Sequence, residues 1–132
     1  MKIDHIGIAV RSLADAAKVY EAIGLRVSRQ EEVPTEGVRV AFLPVGGSHV
    51  ELLEPLASQG VIAKFLESRG EGIHHLALAV DDIEDAMARA RKAGLAVIDE
   101  RPRHGARGRK VAFVHPKSAH GVLLEFVENA RR

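Results

Sequence analysis

The sequence predicts an α+β fold of two tandem βαβββ modules within one domain, and three observations carry that prediction. The first is a repeat: Ile3-Asp4-His5-Ile6-Gly7-Ile8-Ala9-Val10 is echoed by Ile73-His74-His75-Leu76-Ala77-Leu78-Ala79-Val80. The same 70-residue offset pairs Leu13 with Ile83, Ala16 with Ala86, Gly24 with Gly94 and Val27 with Val97. The second is the order of patterns, which in both halves runs from an alternating apolar segment into a helical stripe and then into further strand-like segments. The third is the way both halves close, with a glutamate set inside an apolar strand, in His49-Val50-Glu51-Leu52-Leu53 and Leu123-Leu124-Glu125-Phe126-Val127.

Residues 2–10 alternate as a strand, with Ile6, Ile8 and Val10 on one face and Ile3, His5, Gly7 and Ala9 on the other. Ser12, with Asp15 three residues on, opens a helix whose stripe is Leu13, Ala16, Ala17, Tyr20 and Ile23 and whose end is Gly24. Strands are expected at 25–33, 38–44 and 48–54, with turns at Pro34-Thr35-Glu36-Gly37 and Gly46-Gly47 and a stop at Pro55. A connector over 57–70, with a short helix from Val61 to Glu67, separates modules of about 1–56 and 71–129. The second module predicts strands at 72–80, 95–100, 109–115 and 120–128 and a helix from Ile83 to Ala93, and the final Ala130-Arg131-Arg132 reads as frayed.

Composition narrows the function. Nineteen Lys and Arg against eighteen Asp and Glu give a net charge of +1, so no whole-molecule field marks a nucleic-acid binder. Cysteine is absent, which excludes disulfides, a thiolate nucleophile and a thiolate-ligated structural zinc site. No apolar run is long enough for a membrane span, no signal peptide is visible, and a cytoplasmic location is the default expectation.

His5 and His75 occupy equivalent positions, and so do Glu51 and Glu125. In a strand Val50 and Leu52 face away from Glu51, and Leu124 and Phe126 away from Glu125, so each carboxylate shares a face with the imidazole of its module. A carboxylate on a covered sheet face needs a partner to offset its desolvation. Two imidazoles and two carboxylates form a mixed nitrogen and oxygen set suited to a divalent metal. His74, whose counterpart is Asp4, falls on the opposite face by strand parity.

This layout resembles the vicinal oxygen chelate superfamily, in which paired βαβββ modules form a curved mixed sheet around a metal-binding cleft. Within it the chain resembles the methylmalonyl-CoA epimerase family along nearly its whole length. The stretches concerned are Ile3 to Ala9, Val50 to Leu56, Ile62 to Leu66, Gly72 to Ala77 and, most specifically, His115-Pro116-Lys117-Ser118-Ala119-His120-Gly121-Val122-Leu123-Leu124-Glu125. The resemblance implies metal ligands His5, Glu51, His75 and Glu125, and conversion between (2R)- and (2S)-methylmalonyl-CoA. Some family members carry an amide where this chain has Glu51 and a catalytic carboxylate where it has Val40, so ligand and base both stand open as roles for Glu51.

Epimerisation between a thioester and a carboxylate needs one proton removed and one returned on the opposite face. Glu51 and Glu125 are the natural catalytic pair. Cobalt is the favoured ion, with manganese, nickel and zinc as alternatives. The basic stretch holding Arg101, Arg103, Arg107, Arg109 and Lys110 suggests phosphate contacts, with Arg107 and Arg109 as candidates, and Lys117 and Ser118 are candidates for the acyl carboxylate or CoA. A homodimer engaged in propionate metabolism is expected. The competing readings are a glyoxalase I-type lactoylglutathione lyase and a metal-free small-molecule binding protein of the same fold.

Overall fold

The computed structural model describes residues 1–129, and the expectation of a frayed end at 130–132 lies outside them. Contacts divide the chain into two compact units, His5–His74 and Met1–Asp4 together with the chain from His75 onward; each holds one module, except that the first residues of its opening strand belong to the other unit.

In the first unit, strand β1 (Lys2–Ala9) leads into helix α1 (Leu13–Ala22), followed by β2 (Arg29–Val33), β3 (Val38–Val45), β4 (Ser48–Pro55) and α2 (Val61–Arg69). β1 runs parallel to β4 with His5 opposite His49 and Gly7 opposite Glu51, β3 is antiparallel to β4, and β2 is antiparallel to β3. The sheet order is therefore β2-β3-β4-β1. Ser12 caps α1, its side chain accepting from the Asp15 amide at 3.2 Å, as the sequence predicts. Gly24 ends the helix at φ 105°, a conformation that a side chain would strain. α1 buries Leu13 and Ala17 against Val10, Ala41, Leu43 and Leu52. Each fully buried Leu or Ile of this kind contributes roughly 1.5–3 kcal/mol. α2 buries Ile62 and Leu66, and Phe65 meets the edge of the His74 ring at 5.0 Å.

The second unit repeats the plan with β5 (Gly72–Val80), α3 (Ile83–Lys92), the two-residue β6 (Arg103–His104), β7 (Lys110–Val114) and β8 (Leu124–Glu128). β5 is parallel to β8 with Ala77 opposite Glu125, β7 is antiparallel to β8, and β6 is antiparallel to β7. The sheet order is β5-β8-β7-β6. Asp82 caps α3 through the Asp85 amide at 3.1 Å. Ile83 and Met87 pack with Val80 and Ala112, and Val97 and Phe126 close over them.

Three predicted strands are shorter than their patterns suggest. Residues 25–28 and 95–98 alternate in apolar character, yet β2 begins only at Arg29 and 95–100 contributes a single bridge, Val97 to Val114. The cause is the same in both halves. Leu25 and Val27 turn onto the core under α1, as Val97 does under α3, so the alternation records side-chain packing rather than a ladder. The last strand begins at Leu124 instead of 120, because a 3₁₀ turn at Pro116–Ala119 carries the chain into left-handed His120 (φ 54°).

Candidate functional site

Strand parity places the chemistry as the pattern requires. Val50 and Leu52 belong to the core under α1 and Phe126 to the core under α3, which leaves Glu51 and Glu125 on the other faces of their sheets. The residue opposite each glutamate on the parallel strand is small, Gly7 for Glu51 and Ala77 for Glu125. Across the antiparallel pair each glutamate faces a phenylalanine, Phe42 for Glu51 and Phe113 for Glu125. An arginine lies over each ring, Arg29 over Phe42 at 5.5 Å and Arg103 over Phe113 at 5.0 Å.

The four residues singled out as ligands are buried, His5 4% exposed, Glu51 5%, His75 7% and Glu125 6%. They form two pairs. His5 Nδ1 lies 3.2 Å from Glu51 Oε2, and His75 Nε2 lies 3.0 Å from Glu125 Oε1. Ionised carboxylates at this depth require positive charge or strong donors beside them. The donors are all nitrogen and oxygen, which suits a hard or borderline divalent ion. Both pairs therefore fit a metal role.

The first unit adds a residue the sequence reading passed over. His49 Nε2 is 2.7 Å from Glu51 Oε2, and the His49 ring stacks on His5 at 5.0 Å with planes 26° apart. His5, His49 and Glu51 offer donor atoms within 4.8 Å of one another, as a metal-holding group does. The signal for His49 was present in the sequence: it precedes Glu51 by two residues in a strand and so shares its face.

The remaining candidates are distributed differently. Arg109 is committed internally: its Nη1 donates to Asp4 Oδ1 at 2.8 Å and its Nε to the Glu128 carbonyl at 3.0 Å. Buried Asp4 accounts for this guanidinium without a phosphate. Arg107 sits exposed at φ 62° in the 3₁₀ turn Ala106–Gly108. Lys117 is exposed on the turn after His115, and its amide donates to His115 Nδ1 at 3.0 Å. Ser118 Oγ accepts from the Ala96 amide at 2.8 Å, which ties that turn to the segment after α3.

A second glutamate three residues beyond each site glutamate has a structural task. Glu54 Oε2 accepts from the Leu13 amide at 2.7 Å, and Glu128 Oε2 from the Ile83 amide at 3.1 Å. Each caps the helix that follows the neighbouring parallel strand. Glu54 also accepts from Arg39 Nη1 at 3.1 Å.

Residues 4–113 match the Glyoxalase/Bleomycin resistance protein/Dioxygenase superfamily. The chain belongs to that superfamily, whose paired βαβββ modules it carries. Its relatives narrow the class. It is 39% identical over 127 residues to an ethylmalonyl-CoA/methylmalonyl-CoA epimerase of Cereibacter sphaeroides, covering 94% of this chain and 95% of that one. Among solved structures, a hypothetical protein from Bacillus halodurans superposes with a TM-score of 0.96 at 47% identity, covering 99% of this chain and 96% of that one. A variant methylmalonyl-CoA epimerase of Streptomyces coelicolor, in complex with 2-nitronate-propionyl-CoA, superposes with a TM-score of 0.95 at 38% identity, covering 99% of both chains.

Proposed function

We propose that this protein is a methylmalonyl-CoA epimerase, an isomerase that interconverts the (2R) and (2S) forms by taking a proton from the α-carbon and returning one to the opposite face. The observation that carries the reading is the buried His–Glu pair found at equivalent positions in both modules, in a chain similar throughout to proteins named for this reaction. A lyase or a metal-free binding module has no such support among these relatives.

His5, Glu51, His75 and Glu125 are the residues we assign to one divalent ion, with cobalt the favoured metal. An ion so held supplies Lewis-acid stabilisation of the negative charge that develops when the α-proton leaves. The chain's own residues do the proton transfer. Glu51 and Glu125 are the acid/base pair, one taking the proton and the other returning it according to which epimer is bound. His49 Nε2 is hydrogen-bonded to Glu51 Oε2 at 2.7 Å and His5 Nδ1 lies 3.2 Å from the same oxygen, so Oε1 is the oxygen proposed to receive the proton. Burial of each glutamate keeps bulk water from competing for that proton. Lys117, Ser118 and Arg107 are proposed to contact the CoA ester, with Arg109, which bonds Asp4, as the fourth candidate. The setting we propose is a cytoplasmic homodimer engaged in propionate metabolism.

The test is α-proton exchange. Metal-loaded protein is incubated with methylmalonyl-CoA in heavy water and followed by NMR, beside a chelator-treated sample and a protein-free blank. Exchange well above the blank, lost with chelator and restored by cobalt, is expected. Exchange at the blank rate in protein with bound metal would turn the assignment toward the lyase, which methylglyoxal with glutathione assays directly.

A further inference from the structure

We infer that His49 is a positioning residue for Glu51, a role that rests on the epimerase reading above and has no counterpart in the second module. Around their glutamates the two halves keep the same pattern of apolar neighbours, except here: the position equivalent to His49 is Leu123. Glu51 lies 3.2 Å from His5 and 2.7 Å from His49, and beside Glu125, 3.0 Å from His75, the position of His49 is filled by leucine.

The chemistry of the shorter contact is constrained. A carboxylate only accepts, so the His49 nitrogen 2.7 Å from Oε2 carries the hydrogen and donates it. The ring cannot swing freely while doing so. His49 stacks on His5, its Cα partner across the parallel ladder, and Phe42 packs against it at 5.7 Å, tilted by 50°. A hydrogen bond from a ring held on two sides fixes the Glu51 carboxylate in one rotation. With Oε2 bonded by His49 and set beside His5 Nδ1, that rotation presents Oε1 as the reacting oxygen. Partners that orient a metal-ligating or catalytic carboxylate in this way typically change affinity or activity by about 10–100-fold when removed.

The decisive substitution is the one the second module already carries, His49→Leu, read beside His49→Gln, which keeps an N–H donor. In His49→Leu, kcat should fall about 10–100-fold with KM nearly unchanged, and Co2+ affinity measured by calorimetry should weaken. The visible absorption of the bound Co2+ should shift as the Glu51 carboxylate reorients. His49→Gln should recover most of the loss in each readout. If His49→Leu does not fold, as judged by circular dichroism, His49→Ala serves in its place. A leucine variant with wild-type kcat, Co2+ affinity and spectrum overturns the inference, as does a glutamine variant no better than the leucine one. A wild-type protein that neither binds Co2+ nor exchanges the α-proton overturns the epimerase reading, and this inference with it.

Discussion

The two modules are the same device built twice, and their differences are more informative than their likeness. Both place a glutamate between a small residue and a phenylalanine, with an arginine over the phenylalanine ring. Both cap the following helix with a second glutamate from the parallel neighbour. They part at His49 against Leu123, and beneath the helices, where Ala17 in α1 stands against Met87 in α3. On the proposed reading each module offers one acid/base candidate, and the second imidazole beside Glu51 sets the two apart.

The comparison can be broken most sharply at the glutamates. Glu51→Gln and Glu125→Gln should each lower net epimerisation by about 10²–10⁴-fold, the range of a positioned acid/base group. Metal binding should fall less than turnover in the Glu51 variant. In heavy water the two variants should retain α-proton exchange from opposite epimers. Loss of exchange from the same epimer in both would remove one glutamate from the pair.

Next in size is the core. Met87→Ala should destabilise the protein by about 2–5 kcal/mol in urea denaturation, because a fully buried side chain leaves a cavity. The reciprocal Ala17→Met should cost about 1–3 kcal/mol by overfilling the space that Leu43 and Leu52 already occupy. A neutral exchange at both sites would mean that the two helix layers are interchangeable. The helix caps come third: Glu54→Ala and Glu128→Ala should each cost about 1 kcal/mol, with activity falling little. Glu54→Ala should be the larger change, since it also removes one of the two carboxylates that Arg39 bonds. Smallest is the exposed Asp85–Arg89 pair on α3, 3.4 Å apart, where α1 has Asp15 and Val19. Arg89→Ala should change stability by only about 0.3–0.5 kcal/mol in the same measurement.

Much of this was legible in the sequence because the repeat doubles every signal. Ser12 and Asp82 mark helix starts, Gly24 and Gly94 mark helix ends, and the parity of Glu51 and Glu125 within apolar strands places both on the faces away from the helices. What failed to read out follows from a real ambiguity. Leu25 and Val27, like Leu95 and Val97, alternate as strand residues do, yet the same spacing lets a loop drop every second side chain onto a helix-bearing core. The sequence also could not distinguish an arginine for solvent or substrate from one for an internal carboxylate. Arg109 lies in a basic run, but its partner Asp4 is 105 residues away along the chain. His49 is hard to read for the opposite reason: it lies two residues from a candidate ligand, and its counterpart in the repeat is Leu123.

Glu51 and Glu54, and likewise Glu125 and Glu128, are three apart, so each pair projects to opposite faces of one strand. This spacing makes strand assembly self-correcting. If β4 slipped by one residue against β1, Glu51 would turn into the oily layer beneath α1 and Glu54 would lose the Leu13 amide at the same moment. A misregistered β4 would therefore lose a helix cap together with the placement of Glu51. Whenever the fold completes, Glu51 and Glu125 arrive on the faces away from the helices.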